Sequence, residues 1–394
     1  MGKIIRTTCP ICDSSEYKVK FFRDFSQMLT IAPFKRYDVV KCENCGMIYA
    51  NNIEESVPLS KYYEKMSKYD GEYSINFSKE VNSELNQLFV NISSQHVKKD
   101  ATVLDVGCGS GGLLNCFKEN GFTNLAGIEP SDKNCEFIKK TYNINAFNRS
   151  IGGGYDESLG KFDLICSTDV LEHILNLHEF LEELFKYLSD EGYICLNVPD
   201  LEKFSEKNGD LYQNFSVEHI NFFNIHSLKN LMKMYGMNLV TYQQHYDSKL
   251  GFEPGLLSLW KKNNFNDKSS IELDEHGEIS LEGYLSNCEK YAQELYKKIT
   301  PLKSRKIYIW GAGTFTAMMN QLNFFDEIYI AGIIDSNTGF RGKKMLGKII
   351  LNPQYDEISE LPILICSQAM THSILKDINE KYHFKNEVIT LSIY

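Results

Sequence analysis

The sequence predicts an α/β chain in three parts. A small cysteine-rich module comes first, then a central domain built on a parallel sheet, then a second, smaller α/β unit. Three observations predict this order. Two C-x-x-C pairs stand at the front. A strand runs into a glycine-rich turn at 102–112, and the same strand–turn–helix–strand order returns at 306–335. Between them, residues 279–299 carry apolar side chains at helical spacing, which reads as one long connecting helix.

The totals support several packed domains. The chain has 394 residues, of which 43% are apolar and 24% charged, enough to build two or three ordinary cores. The formal net charge is −10, and the first 60 residues are nearly balanced, so no basic surface points to nucleic acid. No apolar run approaches the length of a membrane span. A soluble, cytoplasmic protein is expected, with no membrane or nucleic-acid partner. A reducing cytosol disfavours disulfides, so the 11 cysteines need another reason.

Four of them have one. Cys9-Pro-Ile-Cys12 and Cys42-Glu-Asn-Cys45 are two knuckles that together offer four thiolates to a tetrahedral Zn2+. With all four ligands supplied by the chain, no position remains for water, so the ion would be structural. The intervening segment contains a strand-like run at 37–41. The other seven (Cys108, Cys116, Cys135, Cys166, Cys195, Cys288 and Cys366) are scattered and read as small core residues.

Residues 102–112 read TVLDVGCGSGG. A short apolar strand carries Asp105 into Gly107, Gly109 and Gly111. Glycines let the backbone turn tightly and approach a ligand closely. A second strand, 124–128, ends in Glu129, 24 positions after Asp105. An acid there can accept hydrogen bonds from both hydroxyls of a ribose. Further on, KFDLICS at 161–167 reads as another strand, followed by TDVLEHI.

D-V-G-C-G-S-G together with that later strand resembles the class I S-adenosylmethionine (SAM) methyltransferases, over about residues 85–245. The resemblance implies a Rossmann-like domain with Asp105, Gly107, Gly109, Gly111 and Glu129 around the cofactor. It adds Asp169 at the end of the 161–167 strand and an adenine contact near Asn148.

The tail repeats the logic. KIYIWGAGTFTA at 306–317 carries a strand into Gly311 and Gly313, and a second strand ends in Asp335. Thr316 stands where a dinucleotide fingerprint has its third glycine, which weakens a nicotinamide-binding reading, and the unit reads equally as a half-Rossmann module that walls a pocket or binds the nucleotide portion of a substrate. LPILICS at 361–367 reads as a third buried parallel strand.

Zinc knuckles, a SAM domain, a connecting helix and a half-Rossmann tail, in this order, resemble the C-methyltransferases of nucleotide-linked keto-deoxysugars. The boundaries are 1–60 for the zinc module and 61–262 for the methyltransferase domain, with 61–84 as a substrate-contacting linker. The connector is 263–300 and the tail domain 301–394. The resemblance makes Tyr69 or Tyr73, in KYDGEYSINF, a substrate contact, and maps Glu218-His219 and His173 onto the catalytic positions. The chemistry explains these residue types. The methyl group of SAM is already electrophilic, so the enzyme must generate a carbon nucleophile by removing a proton beside a ketone. His219 would be the base, Glu218 its support, and His173 the group near the carbonyl. Sharing one site requires Glu218 and His219 to lie in a turn, because neighbours in a strand face opposite sides. Two departures stand out. Ser216 replaces a family tyrosine, and the tail turn lacks the family lysine. Other readings are an O- or N-methyltransferase acting on another small molecule or glycan precursor, a SAM-binding module without chemistry, and Glu218-His219 as a packed turn before a helix capped by Asn224.

Overall fold

The structure is a computed structural model. It describes residues 3–29, 32–59, 62, 83–207, 209–247, 253–263, 271–368 and 370–391. Tyr69 and Tyr73 lie outside the described residues.

The front module is an antiparallel sheet of β1 (Tyr17–Asp24), β2 (Phe34–Cys42) and β3 (Ile48–Glu55). Its hydrophobic face is closed by the rest of the chain, as expected of a segment too short to bury a core alone. Val40, Met47 and Tyr49 pack in one cluster with Leu181, Phe223 and Leu228 of the central domain.

The central domain begins with α1 (Ser83–Ser93), β4 (Thr102–Val106), α2 (Gly112–Glu119), β5 (Asn124–Glu129), α3 (Asp132–Tyr142) and β6 (Asn145–Asn148). It continues with β7 (Phe162–Thr168), α4 (Leu177–Tyr187), β8 (Leu188–Pro199), β9 (Asn221–Phe222), α5 (Ile225–Lys233), β10 (Met237–Asp247) and β11 (Glu253–Lys262). The sheet order is β10-β11-β8-β7-β4-β5-β6. β4 pairs in parallel with β5 on one side and β7 on the other. The chain therefore winds outward in one direction and then in the other. Such a switch opens a crevice beyond the carboxyl ends of the central strands, where open α/β sheets bind ligands. β11 is inserted antiparallel between β8 and β10.

Two connections tie the parts together. β9 leaves the central sheet and joins the front module, pairing antiparallel with β3. The connector, α6 (His276–Ile299), buries Leu281, Tyr284, Tyr291 and Leu295 along one stripe. These spacings keep one helical face against the core.

The tail contains β12 (Lys306–Trp310), α7 (Thr314–Gln321), β13 (Tyr329–Ile334), β14 (Lys344–Met345), β15 (Lys348–Leu351), β16 (Ile363–Ile365), α8 (Thr371–Lys376) and β17 (Val388–Thr390). Its sheet order is β14-β15-β13-β12-β16-β17. It holds more strands than the three that sequence periodicity picks out, because β15 and β17 are too short to show a pattern. Six of the seven scattered cysteines are buried, and Cys116 is half-buried, in keeping with core roles.

Candidate active site

The turn after β4 has all three glycines at positive φ, with Gly107 at 75°, Gly109 at 52° and Gly111 at 79°. Their reasons differ. A Cβ on Gly109 would meet no atom within 4 Å, so this glycine faces open space over the strand ends. A Cβ on Gly111 would come within 2.7 Å of Ile138, so that glycine serves helix packing.

Glu129 ends β5 and is buried. Its carboxylate accepts from the Gly109 N–H at 2.9 Å and, through the other oxygen, from the Ser131 N–H at 2.9 Å. The second unit repeats this device in the tail, where Asp335 accepts from the Ala312 N–H at 2.8 Å. In both units an acid at the end of the second strand holds the glycine turn open.

Asp105 is buried, and its Oδ1 has no hydrogen-bond partner among the described residues. Burial, and then the charge of Glu129, pushes its carboxyl up to about 8. A buried acid beside a second acid invites a cationic ligand, and SAM carries positive charge. The residues present therefore fit the cofactor. Asp169, just past β7, sits at φ 54°, a strained setting for a non-glycine residue. Its carboxylate accepts from the Asn197 amide at 2.8 Å. Asn148 ends β6 and donates to the Pro130 carbonyl at 2.7 Å, on the same rim as Glu129.

Two short tripeptides with the same sequence, Glu172-His173-Ile174 and Glu218-His219-Ile220, come together beyond β7. The first is a single 3-10 turn after β7, and the second lies in the loop before β9. They face each other. The Ile220 N–H donates to the Glu172 carbonyl at 2.8 Å, and Nδ1 of His173 lies 3.1 Å from the Glu218 carbonyl. The His173 and His219 rings meet edge to face, with centroids 4.8 Å apart. Glu218 and His219 thus lie in a loop, as a shared site requires. The support expected from Glu218 reaches His173 through the main chain. The Glu218 carboxylate, for its part, accepts from the Tyr62 hydroxyl.

Ser216, which stands where the resemblance expects a tyrosine, holds the turn. Its hydroxyl accepts from the His219 N–H at 3.0 Å and from the Glu218 N–H at 3.3 Å, which fixes the turn. Asn224 forms a full capping box with Ser227 at the start of α5, so the packed-turn reading also describes part of this segment.

Glu172 is a candidate site residue that the sequence reading did not single out. It is wholly buried, and neither carboxyl oxygen has a hydrogen-bond partner among the described residues. One oxygen lies 3.8 Å from Nε2 of His173. Burial, and then the nearby Asp169, drives its carboxyl well above the usual range. The repeated E-H-I tripeptide was the signal that could have found it.

In the front module the four knuckle sulfurs come together. Cys9 and Cys45 lie 3.5 Å apart and Cys12 and Cys42 3.4 Å apart, with all four within 4.8 Å of one another. A tetrahedral zinc with Zn–S bonds of about 2.3 Å spaces its sulfurs by about 3.8 Å. The geometry fits that ion.

Comparison with known proteins agrees with the crevice. Residues 77–242 match the methyltransferase domain family. A ubiquinone biosynthesis O-methyltransferase of Caulobacter vibrioides is 33% identical over 100 residues, 23% of this chain and 38% of that protein. A mitochondrial one from Dictyostelium discoideum is 27% identical over 110 residues, 24% of this chain and 34% of that protein. The chain thus spans little more than a third of the length of these relatives. Both are O-methyltransferases by name, not sugar C-methyltransferases. Among solved structures, the 1,6-didemethyltoxoflavin-N1-methyltransferase of Burkholderia thailandensis, with bound S-adenosylhomocysteine (SAH), is 16% identical. It covers 56% of this chain and 98% of its own, with a TM-score of 0.40. The N-methyltransferase NodS of Bradyrhizobium japonicum, in complex with SAH, is 14% identical at a TM-score of 0.37, covering 46% and 87%. Residues 77–242 thus carry a methyltransferase domain, set between a cysteine module and a second α/β domain. No helix among the described residues is long and apolar enough to cross a membrane.

Proposed function

We propose that this chain transfers the methyl group of SAM to a nucleotide-linked keto-deoxysugar, at a carbon beside the ketone. One observation carries the reading. Two histidines and a buried acid converge, the acid just after Val170, which packs against Gly107 of the turn that would hold SAM. His219 takes the proton from carbon, and charge develops on the carbonyl oxygen. Glu172, kept protonated by its burial, donates a hydrogen bond to that oxygen. His173 is held by the Glu218 carbonyl and lines the same space. The order of the three parts supports a sugar substrate, since a tail domain beside the crevice offers a wall for the nucleotide. The Thr314 hydroxyl, at the tail's glycine turn, donates to Gln213 in the loop leading to Glu218, at 3.1 Å. Zinc at the four cysteines belongs to this reading as a structural ion. Calorimetry of SAH-loaded protein against dTDP-, GDP- and CDP-linked sugars tests it. Saturable binding of one of them is expected, and binding of SAH alone would remove the sugar.

A second reading is favoured by the same buried acid. Glu172, His173 and His219 each offer a ligand atom, all within 4.8 Å of one another. On this reading the three residues hold a divalent cation that polarises an acceptor oxygen, and the product is an O-methyl group. Titration of the protein with Mg2+ and Mn2+, before and after Glu172→Gln, separates the two.

A further inference from the structure

One residue outside the methyltransferase domain bonds the chain beside both histidines. Arg6 stands three positions before Cys9 in the front module. Its side chain is buried and reaches five oxygens. Nη1 donates to the Ile220 carbonyl at 3.1 Å, to the Asn221 side-chain oxygen at 2.9 Å and to the Ala50 carbonyl at 3.4 Å. Nη2 donates to the Ile174 carbonyl at 3.1 Å and to the Leu175 carbonyl at 2.5 Å. Ile174 follows His173, and Ile220 follows His219. The guanidinium therefore grips the chain directly after each histidine.

Asn221 reinforces the grip. Its amide donates to the Leu171 and Ile174 carbonyls, both at 2.8 Å. Arg6 itself is fixed to the module's sheet, since its carbonyl accepts from the Asn52 N–H at 3.0 Å. The module touches the same region again, where Nε2 of His178 lies 3.0 Å from the Ile11 carbonyl between the first two cysteines.

The energetics make this arrangement unusual. A buried cation loses its hydration, and the common remedy is a buried carboxylate. All five acceptors of Arg6 are neutral oxygens. A planar fork of fixed donors matches fixed acceptors on two separate loops, which a lysine or a glutamine cannot do. A purely cohesive role would be met as well by apolar packing.

We infer that Arg6 is a positioning residue. Through its guanidinium the cysteine module holds His173 and His219 at their working separation, while contributing no group to the reaction. Metal binding at the knuckles, three residues away, then bears on methyl transfer without bearing on SAM. The inference rests on His173 and His219 forming the acceptor site.

The test uses full-length protein labelled with 15N-histidine. The ring signals of His173 and His219 are assigned by His173→Gln and His219→Gln. Arg6→Gln and Arg6→Lys are then compared with the parent for zinc content, SAH affinity and ring signals. Zinc content and SAH affinity should stay unchanged. The His173 signal should lose the pattern of a proton fixed on Nδ1, and the His219 signal should move. With an active acceptor in hand, kcat should fall roughly a hundredfold, as displacement of reacting groups by about 1 Å does, while the KM for SAM holds. Parental histidine signals in folded Arg6→Gln would overturn the inference. If that variant does not fold, Asn221→Ala is read in the same way, and unchanged signals there count against the inference equally. Because the spectra need no acceptor, failure of methyl transfer to nucleotide sugars would leave this test intact.

Discussion

Nδ1 of His173 lies 3.1 Å from the carbonyl oxygen of Glu218. A carbonyl only accepts, so Nδ1 carries the proton at this contact. Nε2 of the same ring lies 3.8 Å from the buried acid Glu172. The contact also joins the two E-H-I segments, 45 positions apart in sequence, into one site. The link is thus made by a histidine and a main-chain carbonyl, not by a histidine and the Glu218 carboxylate, which bonds Tyr62 instead.

The histidines should carry turnover without carrying cofactor binding. His219→Gln is expected to lower kcat by about 10²- to 10⁴-fold, the usual contribution of a general base. SAH affinity, measured by calorimetry, should not change. Full turnover by this variant would leave the segment a packed turn.

Glu172→Gln distinguishes the two proposed chemistries. If Glu172 donates a proton-bearing group, glutamine keeps a donor and part of the rate survives with no response to Mg2+ or Mn2+. If it ligates a cation, activity in the parent depends on that cation and the variant no longer binds it. The assay is rate against added cation, with zinc content followed separately.

Glu129→Ala should weaken SAM binding by at least tenfold. It removes the ribose acceptor and also the carboxylate that bonds the Gly109 and Ser131 amides. Each charge-assisted bond of this kind is worth about 1.5–3 kcal/mol. Unchanged affinity would displace the cofactor from this turn.

Asp105 sets a pH dependence. Its carboxyl is pushed up to about 8 by burial and by Glu129, against about 3.9 when unfolded. The folded chain therefore holds a proton that the unfolded chain has released. Its contribution to stability is largest at acid pH and is lost as pH rises from about 4 to about 8. A cationic cofactor favours the ionised acid. SAM binding at about pH 6.5 should therefore release a proton, seen as a dependence of binding heat on buffer ionisation enthalpy. Asp105→Asn should abolish that dependence.

One zinc per chain is expected by metal analysis, and Cys42→Ser should lose it and lower the Tm. A metal-free preparation that keeps the parental Tm would contradict the four-thiolate site.

Much of this was legible where local spacing carries the message. The knuckles, the Asp105 turn, Glu129 and α6 follow from residues close in sequence, where period and turn chemistry act. The rest depends on partners far apart. Arg6 meets Asn221 across 215 positions, and Tyr62 meets Glu218 across 156. No periodicity marks such pairs. The missing tyrosine at Ser216 raised doubt about the site, yet a tyrosine hydroxyl reaches Glu218 from a different segment. β9 likewise crossed the expected domain boundary, because two residues are too few to show a strand.

The most direct test of the central claim is to supply 13C-methyl SAM and a dTDP-linked keto-deoxysugar and to locate the label by NMR. The account predicts a methyl group on the carbon beside the ketone, absent with His219→Gln. Label on oxygen, or no transfer to any nucleotide-linked keto-sugar by protein that binds SAM, would contradict it.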